Sequence, residues 1–145
     1  MKKLSLFLLA LLVASCATVY TPEYGKLFTK EEANTLYGKP IESIAMDAKT
    51  FRSVLAETKN ILMYAIVDGE IILAGEGRKV LYPVGKSIPE KTVLYVASKK
   101  VVQELIDKIG ATENAQIFIE RRSSVISISY ENYTLEQGTP CPPNC

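Results

Sequence analysis

The longest apolar run of the chain outside its first residues lies between Ile61 and Val67, and every position in it is apolar. An unbroken run of this length is typical of a strand that is buried on both faces. Asp68-Gly69 follows directly and favours a tight hairpin turn, after which Glu70–Ala74 returns as the partner strand. The pattern therefore predicts a buried antiparallel hairpin near the middle of the chain.

A second hairpin is predicted over residues 115–121 and 124–130, around a turn at Arg122-Ser123. In its second strand, apolar residues alternate with Ser127 and Ser129. Because successive side chains of a strand point to opposite faces, we expect one face of this strand to be buried and the other to be wet.

Apolar residues at helical spacing, each set next to a capping residue, predict three helices. Thr29 begins a capping box ahead of Lys30–Tyr37, and Asp47 can cap a helix that runs to about residue 58. Ser98 precedes the clearest amphipathic helix, which Gly110 ends. The remaining predicted strands are residues 41–46, 79–84 and 92–97.

The two halves of this pattern have the same order of strand, helix and hairpin. Four positions of the first half match four positions of the second at an offset of 51, and the offset drifts to 54 at the hairpin turns. The matched positions are Asp47, Phe51, Val54 and Leu55 against Ser98, Val102, Leu105 and Ile106. Either two β-α-β-β units were duplicated or the patterns agree by chance. We expect an α+β fold, with one antiparallel sheet and the helices on one of its faces.

The first sixteen residues have a different character, with Lys2-Lys3 followed by an apolar stretch that ends in Val13-Ala14-Ser15-Cys16. The stretch is shorter than the roughly 20 residues that span a bilayer, which indicates a signal peptide. Its end resembles the lipobox of bacterial lipoproteins. The resemblance implies diacylglycerol on the sulfur of Cys16, cleavage before that residue, and a further acyl chain such as palmitate on its amino group.

The resemblance implies a cellular location, and together with the pattern of the later residues it gives a domain organisation. Residues 1–15 are the signal peptide, residues 16–28 the lipidated N-terminus and tether, 29–135 one α+β domain and 136–145 a tail rich in proline and cysteine. Two or three acyl chains make a stable membrane anchor. Ala17 is not the aspartate that retains enteric lipoproteins in the inner membrane, so we expect a protein of the cell envelope, anchored in the outer membrane if the host has one.

The composition of the chain limits the kinds of functional site that it can form. The leader carries two of the 17 basic residues and none of the 16 acidic ones, so the mature chain has a net charge of −1 and does not predict a nucleic-acid surface. The chain has no histidine, which excludes Ser-His-Asp and Cys-His nucleophiles and the commonest zinc ligand. Gly85-Lys86-Ser87 lacks the earlier glycine of a phosphate-binding loop. We therefore expect no catalytic, metal or cofactor residues.

Cys141 and Cys145 are left over once Cys16 is lipidated. An oxidising compartment favours a disulfide between them, and intermolecular pairing or free thiols are the alternatives. Such a disulfide would clip only the tail.

The leading functional hypothesis is a lipid-anchored envelope protein that works as a binding or scaffold module, held by the acyl chains on Cys16 and contacting another envelope protein. The hairpin tips at Asp68-Gly69 and Arg121-Arg122 are candidate contact sites. One alternative is an envelope enzyme, which would need a deep pocket with two convergent carboxylates. The other is an inhibitor or immunity lipoprotein. The sequence does not indicate an oligomeric state.

Overall fold

The computed structural model describes residues 22–110, 112 and 114–141, and their helices and antiparallel strands confirm the predicted α+β fold. The helices are α1 (Lys30–Tyr37), α2 (Ala48–Glu57) and α3 (Lys99–Ile109), with a short 3-10 turn at Glu76–Arg78. The strands are β1 (Lys26–Thr29), β2 (Glu42–Asp47), β3 (Ile61–Val67), β4 (Glu70–Ala74), β5 (Val80–Tyr82), β6 (Leu94–Ser98), β7 (Gln116–Arg121), β8 (Ile126–Tyr130), β9 (Tyr133–Glu136) and β10 (Thr139–Cys141).

The caps explain where the helices begin. Thr29 forms the predicted capping box with Glu32, and the side chain of Asp47 accepts a hydrogen bond of 2.8 Å from the backbone of Thr50. Ser98 lies at the predicted start of α3, but its hydroxyl accepts a hydrogen bond from the backbone of Tyr24 instead of one from the helix. The side chain of Ser98 therefore binds the segment that enters the domain and does not cap the helix.

The strands form two five-stranded antiparallel sheets, so the prediction of one sheet is wrong. Sheet I has the order β1-β9-β8-β7-β2, and sheet II has the order β10-β6-β3-β4-β5. Helices α2 and α3 pack against strands of both sheets. The helices α2 and α3 have only 10 and 11 residues. Each hairpin therefore lies in its own sheet, and the inner faces of both sheets bury their apolar side chains against the two helices.

The repeated order of strand, helix and hairpin is present as β2-α2-β3-β4 and β6-α3-β7-β8. Each unit gives its first strand to the hairpin of the other unit, because β2 pairs with β7 and β6 pairs with β3. Apart from the terminal strands β1 and β10, the sheet orders β9-β8-β7-β2 and β5-β4-β3-β6 match strand for strand. The two units are therefore interlocked and share one core.

The main core lies where the inner faces of both sheets meet α2 and α3. Phe51 of α2 and Leu105 of α3 are fully buried there, as are Ile119 and Ile128 of sheet I. Strand β3 is buried on both faces, as predicted. Its side chains alternate between the main core and a second cluster on the outer face of sheet II, which also contains Cys141.

The folded region extends beyond both predicted boundaries. Residues 26–28, placed in the tether by the sequence, belong to strand β1, which pairs with β9. Residues 139–141, placed in the tail, form β10 and pair with β6. Both strands are short and lie at sheet edges, so their hydrophobic periodicity carries little information.

Candidate functional site

A layer of buried polar side chains lies on the outer face of sheet I, beneath α1. Its members come from β7, β8, β9 and the turn after β7, and each is at most 4% exposed; we call it the polar layer: Glu120, Arg122, Ser127, Ser129, Thr134 and Glu136. The expectation of a wet face around Ser127 and Ser129 is therefore wrong. The alternation predicts correctly that they share a face, but α1 covers that face.

Arg122 is the centre of the polar layer, and its side chain is completely buried. Its Nε lies 2.8 Å from Glu136 Oε1 and donates to Ser127 Oγ at 3.0 Å. Its Nη1 donates to Asn34 Oδ1 at 2.8 Å and to the carbonyl of Gly38, so it reaches α1 and the residue that ends it. Arg122 consequently is not available at the hairpin tip, which corrects the prediction of an Arg121-Arg122 contact site.

The two carboxylates of the polar layer are in different environments. Glu120 accepts a hydrogen bond of 2.6 Å from Ser129 and lies 3.9 Å from Lys30 Nζ and 3.5 Å from Arg122 Nη2. Burial raises the pKa of Glu136, and the hydrogen bond from Ser127 and the charge of Arg122 offset this only in part. The layer thus places two carboxyl groups around a single guanidinium.

Two buried polar atoms of the described residues have no hydrogen-bond partner: Glu136 Oε2 and the hydroxyl of Tyr64. Burial raises the pKa of Tyr64, and the charge of Glu136 adds to the effect, so this phenol stays neutral. Gly138 lies against the Tyr64 hydroxyl, where the chain crosses from β9 to β10. An unpaired buried polar group costs free energy, so the burial of the Tyr64 hydroxyl beside this crossover is unfavourable.

The polar layer fastens α1 to sheet I. Among the residues of α1 only Ala33 is buried, so apolar packing holds this helix weakly and the bonds from Arg122 contribute much of its attachment. Neither Glu120 nor Glu136 lines any of the grooves described below. The convergent carboxylates required by the enzyme hypothesis are present, but they lie beneath a helix and not in a pocket.

The surface carries a groove of about 380 Å³ beside the turn of the second hairpin, which we call the far groove. Two exposed apolar side chains border it, Ile41 at 72% exposure and Val93 at 46%. Arg121 closes one side, since its guanidinium lies 2.8 Å from Glu42 Oε2 and donates to the carbonyl of Ile66 at 3.0 Å. The other lining residues are Ala65, Ile66, Tyr95 and residues 122–126.

A second groove of about 350 Å³, the entry groove, lies where the chain enters the domain. It is lined by Pro22, Glu23, Tyr24, Lys59, Asn60, Ile61, Ser98, Lys99 and Lys100. Strand β3 runs from Ile61 in the entry groove to Ile66 in the far groove, a distance of roughly 17 Å at about 3.3 Å per residue. The two grooves therefore lie at opposite ends of sheet II.

A third groove, of about 740 Å³, runs between α2 and α3. Arg52 of α2 bridges it by donating a hydrogen bond of 2.6 Å to the carbonyl of Gly110, just after α3. Its lining combines polar side chains of both helices with Leu55 and Ile106, which also belong to the core. Its shape follows from the packing of the helices.

Glu76, in the 3-10 turn, binds the connection between α2 and β3. Its carboxylate accepts hydrogen bonds from the backbone N–H groups of Lys59, Asn60 and Ile61, at 3.1, 2.5 and 3.1 Å. Burial alone would raise the pKa of Glu76, but these N–H groups outweigh it and lower the pKa to about 2. The carboxylate therefore fixes the residues that line the entry groove.

We expect the Glu76→Gln variant to lose about 1–2 kcal/mol of unfolding free energy at neutral pH, because a neutral amide accepts these bonds less well. The folded pKa lies below the unfolded one, so this contribution is complete above the unfolded pKa and disappears as the pH falls towards 2. Urea denaturation at several pH values measures it. The exposed loop residue Glu90, replaced by glutamine, is the control. An equal loss in both variants would contradict the assignment.

The sequence predicts roles for three cysteines, and two of them, Cys16 and Cys145, lie outside the described residues. Cys141 is disulfide-bonded and 1% exposed, and its partner sulfur lies outside the described part of the chain. Pairing with Cys145 stays a prediction. Because β10 belongs to sheet II, this disulfide is fastened to the domain and not only to a tail.

The other predicted contact site, the turn Asp68-Gly69, is exposed next to the end of β3. Over the described ranges, no group of three or more His, Cys, Asp or Glu side chains could hold a metal ion. The same residues contain no helix long and apolar enough to cross a membrane. Comparison with family models, curated proteins and solved structures finds no match to this chain.

Proposed function

We propose that this chain is a lipid-anchored protein of the cell envelope that acts as a binding module through its far groove. The observation that carries the proposal is the pair of exposed apolar side chains, Ile41 and Val93, that line one groove. Exposed apolar groups that share a concave surface are typical of a contact site for a protein partner.

The position of the far groove supports the same proposal. The chain enters the domain at Pro22, in the entry groove, and the far groove lies at the other end of strands β3 and β6. With acyl chains on Cys16, the far groove would be presented away from the membrane surface. A partner in the envelope could then reach it without competition from lipid.

The partner expected here is a protein that inserts an apolar side chain between Ile41 and Val93. The guanidinium of Arg121 is already held by Glu42 and Ile66, so it shapes the groove and leaves little free charge for the partner. The inhibitor or immunity hypothesis would use the same surface against an enzyme. Identification of the captured partner distinguishes the two.

The experiment places a photo-crosslinking amino acid at Val93 in cells and, as a matched control, at Val84, which is 92% exposed but outside the far groove. We expect a discrete crosslinked product from Val93 alone. Ile41→Asp should reduce that product at least tenfold, since a carboxylate in an apolar contact is costly to desolvate. Equal products from Val93 and Val84, or no effect of Ile41→Asp, would remove the far groove from consideration.

The anchor is tested separately by labelling with palmitate. Cys16→Ser should abolish the label, because the cysteine sulfur receives the diacylglycerol, whose acyl chains also carry the label, in the family that the leader resembles. Unchanged labelling in that variant would refute lipidation, whatever the far groove binds.

A further inference from the structure

Three lysines gather at the end of the domain where the chain leads back towards Cys16. Lys59 follows α2, and Lys99 and Lys100 begin α3. All three line the entry groove together with Pro22 and Tyr24. The juxtaposition joins two remote parts of the sequence at the point where the domain is attached.

The entering segment is pinned at this place. Tyr24 and Ser98 form two hydrogen bonds, from Ser98 N to the Tyr24 carbonyl at 2.9 Å and from Tyr24 N to Ser98 Oγ at 2.7 Å. The next contact outward is an exposed ion pair of 2.9 Å between Glu23 and Lys100. Pro22 therefore has a fixed position beside the lysines.

The residues that line this groove carry charges of both signs, with cations in excess. The lining contains three lysines and one acid, Glu23. Glu76 lies close by, but its carboxylate is directed at three backbone N–H groups, and Glu57 is exposed in the last turn of α2. Lys99 is half-buried and donates to the carbonyl of Thr58 at 2.7 Å, whereas Lys59 and Lys100 are exposed, Lys100 within its ion pair with Glu23.

The length of the remaining chain limits how far this surface can be from a membrane. Five residues separate Cys16 from Pro22, and the six residue steps span at most about 20–22 Å when fully extended. Any less extended conformation brings the lysines nearer to the headgroups, within reach of a screened interaction that extends about 8–10 Å.

We infer that the entry groove surface contacts the anionic phospholipid headgroups of the membrane that holds the acyl chains of Cys16. The inference rests on the proposed lipid anchor and adds an orientation to it. A lysine close to an anionic surface favours the docked state about fivefold, so two such lysines, Lys59 and Lys100, favour it roughly 25-fold. The docked domain presents the far groove outward.

The test uses the mature lipidated protein in vesicles that contain an energy-transfer acceptor on a lipid. A fluorescent amino acid is placed at Asn60 in the entry groove or at Ser123, an exposed residue lining the far groove. We expect efficient transfer from position 60 and weak transfer from position 123 in vesicles containing phosphatidylglycerol. Vesicles of phosphatidylcholine alone should reduce the transfer from position 60.

The charge requirement is tested with Lys59→Gln/Lys100→Gln, which should lower the transfer from position 60 in anionic vesicles to the value in neutral ones. The matched control is Lys39→Gln/Lys49→Gln, which removes the same charge from two exposed lysines outside the entry groove and should leave the transfer unchanged. Equal transfer from positions 60 and 123, or equal effects of the two double variants, would overturn the inference. Protein that fails to remain with the vesicles would instead refute the lipid anchor.

Discussion

Replacement of Arg122 by methionine is expected to destabilise the domain by about 3–5 kcal/mol, which is the usual cost of removing one partner from a buried ion pair. The guanidinium is completely buried and serves Glu136, Glu120, Asn34 and the carbonyl of Gly38. Methionine fills much of the volume but leaves these groups without a donor. Thermal and urea denaturation measure the loss.

Two variants separate the loss of charge from the loss of packing. Arg121→Met changes the neighbouring residue, whose partly exposed ion pair with Glu42 is worth about 1 kcal/mol or less. Adding Glu120→Gln and Glu136→Gln to Arg122→Met removes the uncompensated carboxylates and should restore part of the stability. If Arg122→Met costs no more than Arg121→Met, the polar layer does not fasten α1.

Gly138→Ala is expected to cost about 1–3 kcal/mol, because a Cβ at this position has no room. It would lie 2.2 Å from the Tyr64 hydroxyl oxygen and 3.4 Å from the carbonyl oxygen of Val96. Tyr64 is fully buried in the main core and its ring cannot move aside freely. Denaturation of the single variant measures the clash.

Tyr64→Phe provides the matched test of the same contact. Its hydroxyl is buried without a hydrogen-bond partner, so its removal should be neutral or slightly stabilising in the native chain. In the Gly138→Ala background it should recover much of the loss, since the nearest ring carbon, Cζ, lies at 3.2 Å. Additive effects of the two substitutions, measured as a double-mutant cycle, would show that they do not touch.

Some residues of the candidate sites can be predicted from the sequence, and others become evident only in the tertiary structure. The leader predicts Cys16 as a lipidation site through a local motif, which needs no tertiary information. Ile41 and Val93 lie 52 positions apart in sequence, and nothing in their local patterns indicates a shared groove. Arg122 was expected at an exposed turn because charged residues usually are exposed there, whereas its burial depends on partners from α1, β8 and β9.

The sequence by itself determined the local elements of this protein: the strand Ile61–Val67, the hairpin turn at Asp68-Gly69, and the helices that follow Thr29 and Asp47. Hydrophobic periodicity and helix caps depend on a few consecutive residues, so they can be recognised without knowing which elements pack against one another. Tertiary structure decided that the first strands of the two units are exchanged and that α1 covers the serines of β8. Those outcomes depend on which faces meet, and alternation along one strand states only which side chains share a face.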